Sequence, residues 1–407
     1  MTLDVETIRS WFPTLQKQNI AFLDNAASTL KPIQIIEAMT TKMKYQYTNV
    51  HRGVYPLASK ATEDYERAHE TIADFLSAKP EEIVFTAGTT SGLQLAARLL
   101  EYNDMINEKT HLILPKDLHH SAILPFYRAG VGKRSKIILL NLDQKGRPQW
   151  TRLEEILPET DNAIIVAGHV SNVTGYEAPI SYISRQAQKH GACLIVDGAQ
   201  SVPHLPIDVS SLNACMLAFS GHKMLGPTGI GVLWIQRDLA YSLEPAYGGG
   251  GAVVDVKPQG NSLEIEWLEP PWRFEHGTPP IIEAAGLEAA VKLLKDVGMK
   301  NIAEYEEKLI QALYEELEKI PGVNIIGPEP GERRGLVSFI AESIHPDTIG
   351  MELGLRGVAV RTGMHCAGPL HHSLGLEHGS VRASVYIYNT LGDIHRLVRE
   401  LKDILST

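Results

Sequence analysis

From about residue 60 onward, short apolar runs alternate with segments of helical periodicity, and this alternation restricts the chain to few folds. EEIVFT, HLILP, KIILLNL, NAIIVAGHV, ACLIVDGA, CMLAFS and GIGVLWI read as strands. ATEDYERAHETIADFLSA, TSGLQLAARLL and ISYISRQAQKHG read as helices, the last ending on glycine as C-terminal caps often do. Strands apolar along their length and separated by helices predict an α/β fold with a mostly parallel sheet covered on both faces. Ligands of such sheets sit at the carboxyl ends of the strands. That rule selects GTTSG, HHS, HVSNVTG, DGAQ and SGHK, all at strand ends.

The proline-rich stretch LEPPWRFEHGTPP (268–280) reads as a connection. Beyond it, GLEAAVKLL and NIAEYEEKLIQALYEELEKI read as helices, GLVSFIA and GVAVRTG as strands and DIHRLVRELKDIL as a final helix. The C-terminal third is therefore expected to be a smaller α+β domain. A length of 407 residues accommodates that division. A formal net charge of -10 disfavours nucleic acid or an anionic membrane surface as the main partner. No run approaches the ~20 apolar residues of a membrane helix. The stretch MTLDVETIRSWFPTL carries acids and lacks the apolar segment of a secretory signal. Three cysteines form neither a disulfide framework nor metal-site spacing, which points to a reducing, cytoplasmic compartment and no metal.

Lys223 sits between two apolar strands in AFSGHKMLGPTGIG. A lone lysine is usually a solvated surface residue. One held in a partly dry place has a lowered pKa and can form Schiff bases. Ser220 and His222 beside it are donors suited to a phosphate. Asp197 ends the strand ACLIVD; it reads either as a turn cap or as a buried carboxylate facing a protonated ring nitrogen, the partner pyridoxal phosphate needs to act as an electron sink. Gln200 could donate to that ring's phenolate oxygen. Gly88-Thr89-Thr90-Ser91-Gly92, between strand and helix, makes an anion site or an ordinary N-cap. It is not a Walker loop, since no Gly-Lys-Ser/Thr follows. His119 and His120 follow a strand and a turn, where an imidazole could stack on a cofactor ring. Cys193 and Cys215 lie in apolar strands and read as inert core thiols. Cys366, in VRTGMHCAGPLHH, lies in a cationic loop where a thiol would be a nucleophile; a zinc site there lacks a second cysteine at ligand spacing.

DGAQ followed by SGHK, behind a Gly-Thr-Thr turn, resembles the class V aminotransferase family of fold-type I pyridoxal-phosphate enzymes. The closer resemblance is to the group II (SufS-like) cysteine desulfurases, which overlap the selenocysteine lyases. It runs from LDNAAST (23–29) and VHRGVY (50–55) to VRTGMHCAGPL and VRASVYIYNT (381–390). The resemblance implies a large domain built on a mostly parallel seven-stranded sheet plus a smaller C-terminal α+β domain. It divides the chain into a segment 1–20 packing with the small domain, a cofactor domain 21–275, and a small domain 276–407 carrying the cysteine loop. It also implies that Lys223 bonds the cofactor and later moves the substrate Cα proton, while Asp197 pairs with the ring nitrogen and Gln200 with the phenolate oxygen. His119 would stack on the ring, Thr90, Ser220 and His222 would bind the phosphate, and Asn172 would lie by cofactor and substrate. Thr278 would reach the phosphate of a second subunit, implying a homodimer with shared sites. Arg382 would clamp the substrate carboxylate in a pocket that His51, Arg52 and Arg361 also line.

The implied activity converts L-cysteine to L-alanine with a persulfide on Cys366, supplying an acceptor or iron–sulfur scaffold protein. L-Selenocysteine as substrate, another pyridoxal-phosphate enzyme of this fold (a C–S lyase or transaminase), and a partner-dependent sulfur-relay component stay open as alternatives. Two positions depart from the family pattern: Met364 stands where histidine is usual in the cysteine loop, and Leu118 where glutamate is usual. A paired change from polar to apolar would give a drier wall near the substrate sulfur.

Overall fold

The computed structural model describes residues 3–342 and 344–406. The outermost ends of the first and last expected segments, and Ser343, lie outside the described residues. The strands are β1 (Ala21–Phe22), β2 (Ile83–Thr86), β3 (His111–Pro115), β4 (Lys136–Leu140), β5 (Ala163–Gly168), β6 (Cys193–Asp197), β7 (Met216–Ser220) and β8 (Gly231–Ile235). They continue with β9 (Val253–Gln259), β10 (Ser262–Trp267), β11 (Val323–Ile326), β12 (Leu336–Ala341), β13 (Val358–Ala359), β14 (Arg361–Gly363) and β15 (Ser380–Ser384).

The main sheet has seven strands in the order β2-β8-β7-β6-β5-β3-β4. Only β8 runs against its neighbours, β2 and β7. The α/β expectation therefore holds, including the strand count. Both faces are covered, which is why β5, β6 and β7 are apolar along their length. Ile165, Leu194, Val196, Leu217 and Phe219 enter one core; Ile164, Val166, Ile195, Met216 and Ala218 enter the other. The four-stranded sheet β11-β12-β15-β14 packs its own core, with Leu313, Phe339, Val381 and Leu397 fully or almost fully buried.

The helix Ile281–Val297 puts Leu287, Ala290 and Leu294 into the first of the large-sheet cores, against the helices Ile33–Tyr45 and Pro56–Leu76. Packing thus passes to the small sheet after this helix, at the helix Met299–Glu318. The N-terminal segment docks through Phe12 on Tyr388 (ring centroids 4.4 Å) and through Arg9 on Asp393 (3.0 Å).

Three local departures from the sequence reading have physical causes. GVAVRTG is not one strand: β13 pairs with β1, and β14 pairs with β15. The break at Val360 lets one segment serve two sheets. The stretch after Gly251 forms an antiparallel hairpin, β9–β10, with Val254, Val256, Leu263 and Ile265 exposed; Pro258 and the charges around it mask the strand pattern. Cys193 and Cys215 are not separate thiols but a disulfide, with Cα atoms 5.7 Å apart. Adjacent parallel strands bring the two residues together, a tertiary register that spacing along the chain does not reveal.

This bridge closes a segment with a sequence separation of 22 and ties β6 to β7 at the end of the sheet opposite Asp197 and Ser220. Its removal in Cys193→Ser/Cys215→Ser is expected to lower unfolding free energy by about 3 kcal/mol, read by denaturant titration. An unchanged midpoint in oxidised wild type and double variant would contradict that role.

Candidate active site

The carboxyl ends of β2, β3, β5, β6 and β7 and the loops of the small sheet enclose a cavity of about 500 Å³. At its floor, β7 delivers Ser220 and a single 3₁₀ turn, Gly221–Lys223, delivers Lys223. Beside it the GTTSG turn packs closely on β8: a Cβ on Gly231, which opens that strand, would lie 2.5 Å from Gly88 Cα. Gly88 itself has φ +142°, a conformation side chains rarely adopt. These glycines let the strand-to-helix turn GTTSG press against β8.

Lys223 is partly buried, and desolvation lowers its pKa to about 8, although the Asp197 carboxylate pulls in the opposite direction. The amine is therefore available unprotonated near neutrality, as a carbonyl-bonding or proton-moving lysine must be. Asp197, at the end of β6, is pushed up by burial; Ala199 N–H, donating to Oδ1 at 3.0 Å, and the Lys223 cation oppose this. Its second oxygen is left for another partner. Gln200 Nε2 donates to Ala26 O at 2.8 Å with one of its two hydrogens.

His119 caps the helix His120–Lys133: its Nδ1 accepts from Ser121 N–H at 3.0 Å. That bond fixes both the ring and its tautomer, with hydrogen on Nε2. Burial and then the Lys223 cation hold His119 at about 4, so the ring is neutral. His222 is likewise held at about 4 by burial and then Lys223. The start of the helix Thr89–Tyr102 faces the same space. Of its two threonines, Thr89 is buried and bonded to Ser220 Oγ through both N–H (2.8 Å) and Oγ1 (2.6 Å). Thr90 is exposed, with Oγ1 2.6 Å from Ser121 Oγ. Backbone N–H groups, hydroxyls and a neutral imidazole converge here as an anion site.

The opposite wall comes from the small sheet. Arg382, on β15, is buried and donates through Nη1 to Asn172 O at 2.9 Å. Burial lowers it to about 10, yet it stays cationic. Asp24 stands between the two arginines, accepting a fork from Arg361 (3.0 and 2.8 Å) and lying 3.6 Å from Arg382. Asn172 Nδ2 donates to His365 O at 2.7 Å. Cys366 is exposed at the rim, between buried His365 and Ala367. His365 (φ 47°) and Cys366 (φ 55°) are consecutive residues in the left-handed region, which costs about 1–2 kcal/mol each. Their conformation is held by His120 N–H donating to Cys366 O at 2.7 Å and Gly368 N–H donating to His120 Nε2 at 3.1 Å.

The structure thus brings together Lys223, Asp197, Gln200, His119, Thr90, Ser220, His222, Asn172, Arg361, Arg382 and Cys366 around one cavity. It does not bring His51, Arg52 or Thr278 there within one chain. Those three line a separate hollow of about 690 Å³. Leu118 lines the main cavity but is buried in the second large-sheet core, and Met364 is not among the lining residues.

Sequence reasoning missed Asp24, Asp117 and Lys31. Asp24 lies inside the LDNAAST stretch and could have been singled out there. Asp117 lines the cavity and is pushed up to about 7 by burial. Lys31 is lowered to about 7 by burial and donates to His222 O at 2.9 Å behind the Lys223 turn. Neither carries a spacing signal.

Residues 21–397 match the aminotransferase class-V family. The chain is 48% identical over 404 residues to a probable cysteine desulfurase of Aeropyrum pernix, covering 98% of each. It is 36% identical to a probable cysteine desulfurase of Streptomyces coelicolor, over 99% of this chain and 97% of the relative. The apo cysteine desulfurase of Thermococcus onnurineus superposes with a TM-score of 0.94 at 34% identity, covering 100% of this chain and 99% of that one. Among the described residues, no helix is long and apolar enough to cross a membrane.

Proposed function

This chain belongs to the aminotransferase class-V family, and from that premise we infer that it is a pyridoxal-phosphate-dependent cysteine desulfurase whose sulfur carrier is Cys366. The observation that carries the reading is a single cavity holding a partly buried lysine with its pKa lowered to about 8, a buried carboxylate, a buried arginine and an exposed cysteine.

The residues fit the cofactor. Lys223 supplies the amine for the aldehyde. Asp197 has a free oxygen for a protonated ring nitrogen, and Gln200 a free amide hydrogen for the phenolate. Thr89 or Thr90, Ser220 and His222 supply donors for the phosphate, and the neutral, immobilised ring of His119 is suited to stacking. When bound, the cofactor supplies an electron sink that acidifies the substrate Cα–H and labilises the Cβ–S bond.

This chain's own groups do the rest. Arg382 presents a guanidinium to the substrate carboxylate; its fork matches the two oxygens. Asp24 keeps Arg361 and Arg382 apart in fixed directions. Lys223, freed as an amine, takes the Cα proton and later returns one. Cys366 attacks the substrate sulfur: the Sγ–S bond forms, the Cβ–S bond breaks, and Cys366 S–H plus L-cysteine becomes Cys366 S–SH plus L-alanine. Atoms balance without an external oxidant or reductant. The exposed position of Cys366 supports handing the sulfur to an acceptor protein, including one that builds iron–sulfur clusters.

A homodimer accounts for the second hollow. His51, Arg52 and Thr278 lie there beside exposed Val254 of the hairpin, and exposed Tyr45, Tyr47 and Val54 stand nearby along the chain. In a two-fold assembly this surface would complete the site of the other copy.

Equimolar alanine and sulfide from L-cysteine with a reductant test the reading. A further expectation concerns the cofactor-free chain. Only neutral Lys223 captures an aldehyde, so the rate of pyridoxal-phosphate uptake should rise with pH and level off above about 8. Uptake that is flat from pH 6 to 9, followed by absorbance, would contradict the assignment.

A further inference from the structure

We propose that Ser380, acting through His365 and His371, positions the nucleophile loop, so that β15 sets the substrate clamp and the sulfur acceptor in one register; this rests on the desulfurase reading above.

The hydrogen-bond partners fix where each ring proton sits. His371 Nδ1 lies 3.1 Å from Ala367 O, and a carbonyl only accepts, so Nδ1 carries the hydrogen. His371 Nε2 is then a lone pair, 3.2 Å from Ser380 Oγ, and the hydroxyl donates to it. The same Oγ accepts from His365 Nε2 at 3.1 Å. His365 Nε2 also lies 3.2 Å from Ser380 O, another group that only accepts, which confirms the hydrogen on Nε2. His365 Nδ1 is left as a buried lone pair without a partner in the structure. Burial, followed by the Arg382 cation, holds His365 at about 2; burial lowers His371 too, so both rings are neutral as this placement requires.

One hydroxyl therefore ties two histidines that bracket the cysteine, one immediately before it and one five positions after. His365 lies in the loop whose left-handed backbone presents Cys366, and His371 in the short helix Gly368–Ser373 that follows it. Ser380 is completely buried, its backbone pairs with Gly363 of β14, and its hydroxyl meets these two rings. Its position on β15 gives the arrangement its meaning. Ser380, Arg382 and Ser384 alternate, so they share one face of the strand. Ser380 holds the cysteine loop, Arg382 reaches Asn172 and Asp24, and Ser384 Oγ accepts Ala26 N–H at 2.9 Å. A shift of β15 would move clamp and nucleophile together, preserving their separation.

The test compares holoenzymes carrying Ser380→Ala, His371→Gln and His371→Ala with wild type. Cofactor loading, KM for L-cysteine, thermal midpoint and the rate of persulfide appearance on Cys366 are measured, the last by alkylation and mass analysis. Ser380→Ala and His371→Ala are expected to slow persulfide appearance about tenfold, with KM and cofactor loading unchanged. His371→Gln, whose amide oxygen accepts the same hydrogen bond, should keep most of the rate. Wild-type persulfide formation in Ser380→Ala overturns the inference. So does a loss of rate that tracks thermal midpoint and cofactor loading alike, or a glutamine variant no better than alanine. A wild type that never acquires the persulfide overturns the desulfurase reading and this inference with it.

Discussion

Cys366→Ala is expected to lower alanine and sulfide formation from L-cysteine about 10³-fold or more while leaving cofactor binding intact. Cys366 is exposed at the rim, whereas Lys223, Asp197 and the proposed phosphate site around Thr89 and Ser220 line the interior of the same cavity. In the proposed mechanism, removing the thiol therefore takes away the sulfur acceptor and nothing that would hold the cofactor. Two results would separate the alternatives. Loss of both products together, with the protein still yellow, identifies Cys366 as the obligatory acceptor. Sulfide release that survives the substitution identifies a C–S lyase, in which water or a base completes the elimination and the cysteine loop is incidental. Selenocysteine is the informative second substrate: a selenolate leaves more readily than a thiolate, so activity toward it that tolerates Cys366→Ala would show that leaving-group ability had replaced nucleophilic assistance.

Lys223→Ala should cost at least about 10⁴-fold, the combined effect of losing the amine that bonds the cofactor and the base that moves the Cα proton. The control that gives this force is Lys223→Arg. A guanidinium keeps the positive charge beside Asp197 but does not deprotonate in proteins. If Lys223 worked only as a fixed cation balancing Asp197, arginine would retain much of the activity. On the present account arginine is as inactive as alanine, because what matters is the neutral amine that burial provides by lowering Lys223 to about 8. Turnover of both variants at pH 7 and 9, with visible absorbance as the readout of cofactor attachment, distinguishes the two roles.

The parts of this molecule that were legible in its sequence are those governed by local chemistry. Apolar runs such as AIIVAG and CLIVD announce strands covered on both faces, and the sheet follows from their alternation with helices. Residues at the ends of those runs, among them Asp197, Ser220 and Lys223, inherit their place in the cavity from the strands. What depends on register or on a second element was not legible. The pairing of Cys193 with Cys215 comes from neighbouring strands. The role of Asp24 exists only because β14 and β15 present Arg361 and Arg382 on either side of it. The hairpin β9–β10 was hidden by a proline and by exposed apolar residues that a lone two-stranded ribbon does not bury. His51, Arg52 and Thr278 do not meet Lys223 within one chain, and no local pattern states where a second copy would stand.

The proposed function stands on the passage of sulfur from substrate to Cys366. It is tested most directly by mixing the holoenzyme with L-cysteine in the absence of reductant, quenching with an alkylating reagent and mapping peptides by mass. One added sulfur atom is expected on the peptide containing Cys366, with none on those containing Cys193 or Cys215, and L-alanine formed in equal amount. Alanine or sulfide produced while the Cys366 peptide stays unmodified at every time point would contradict it.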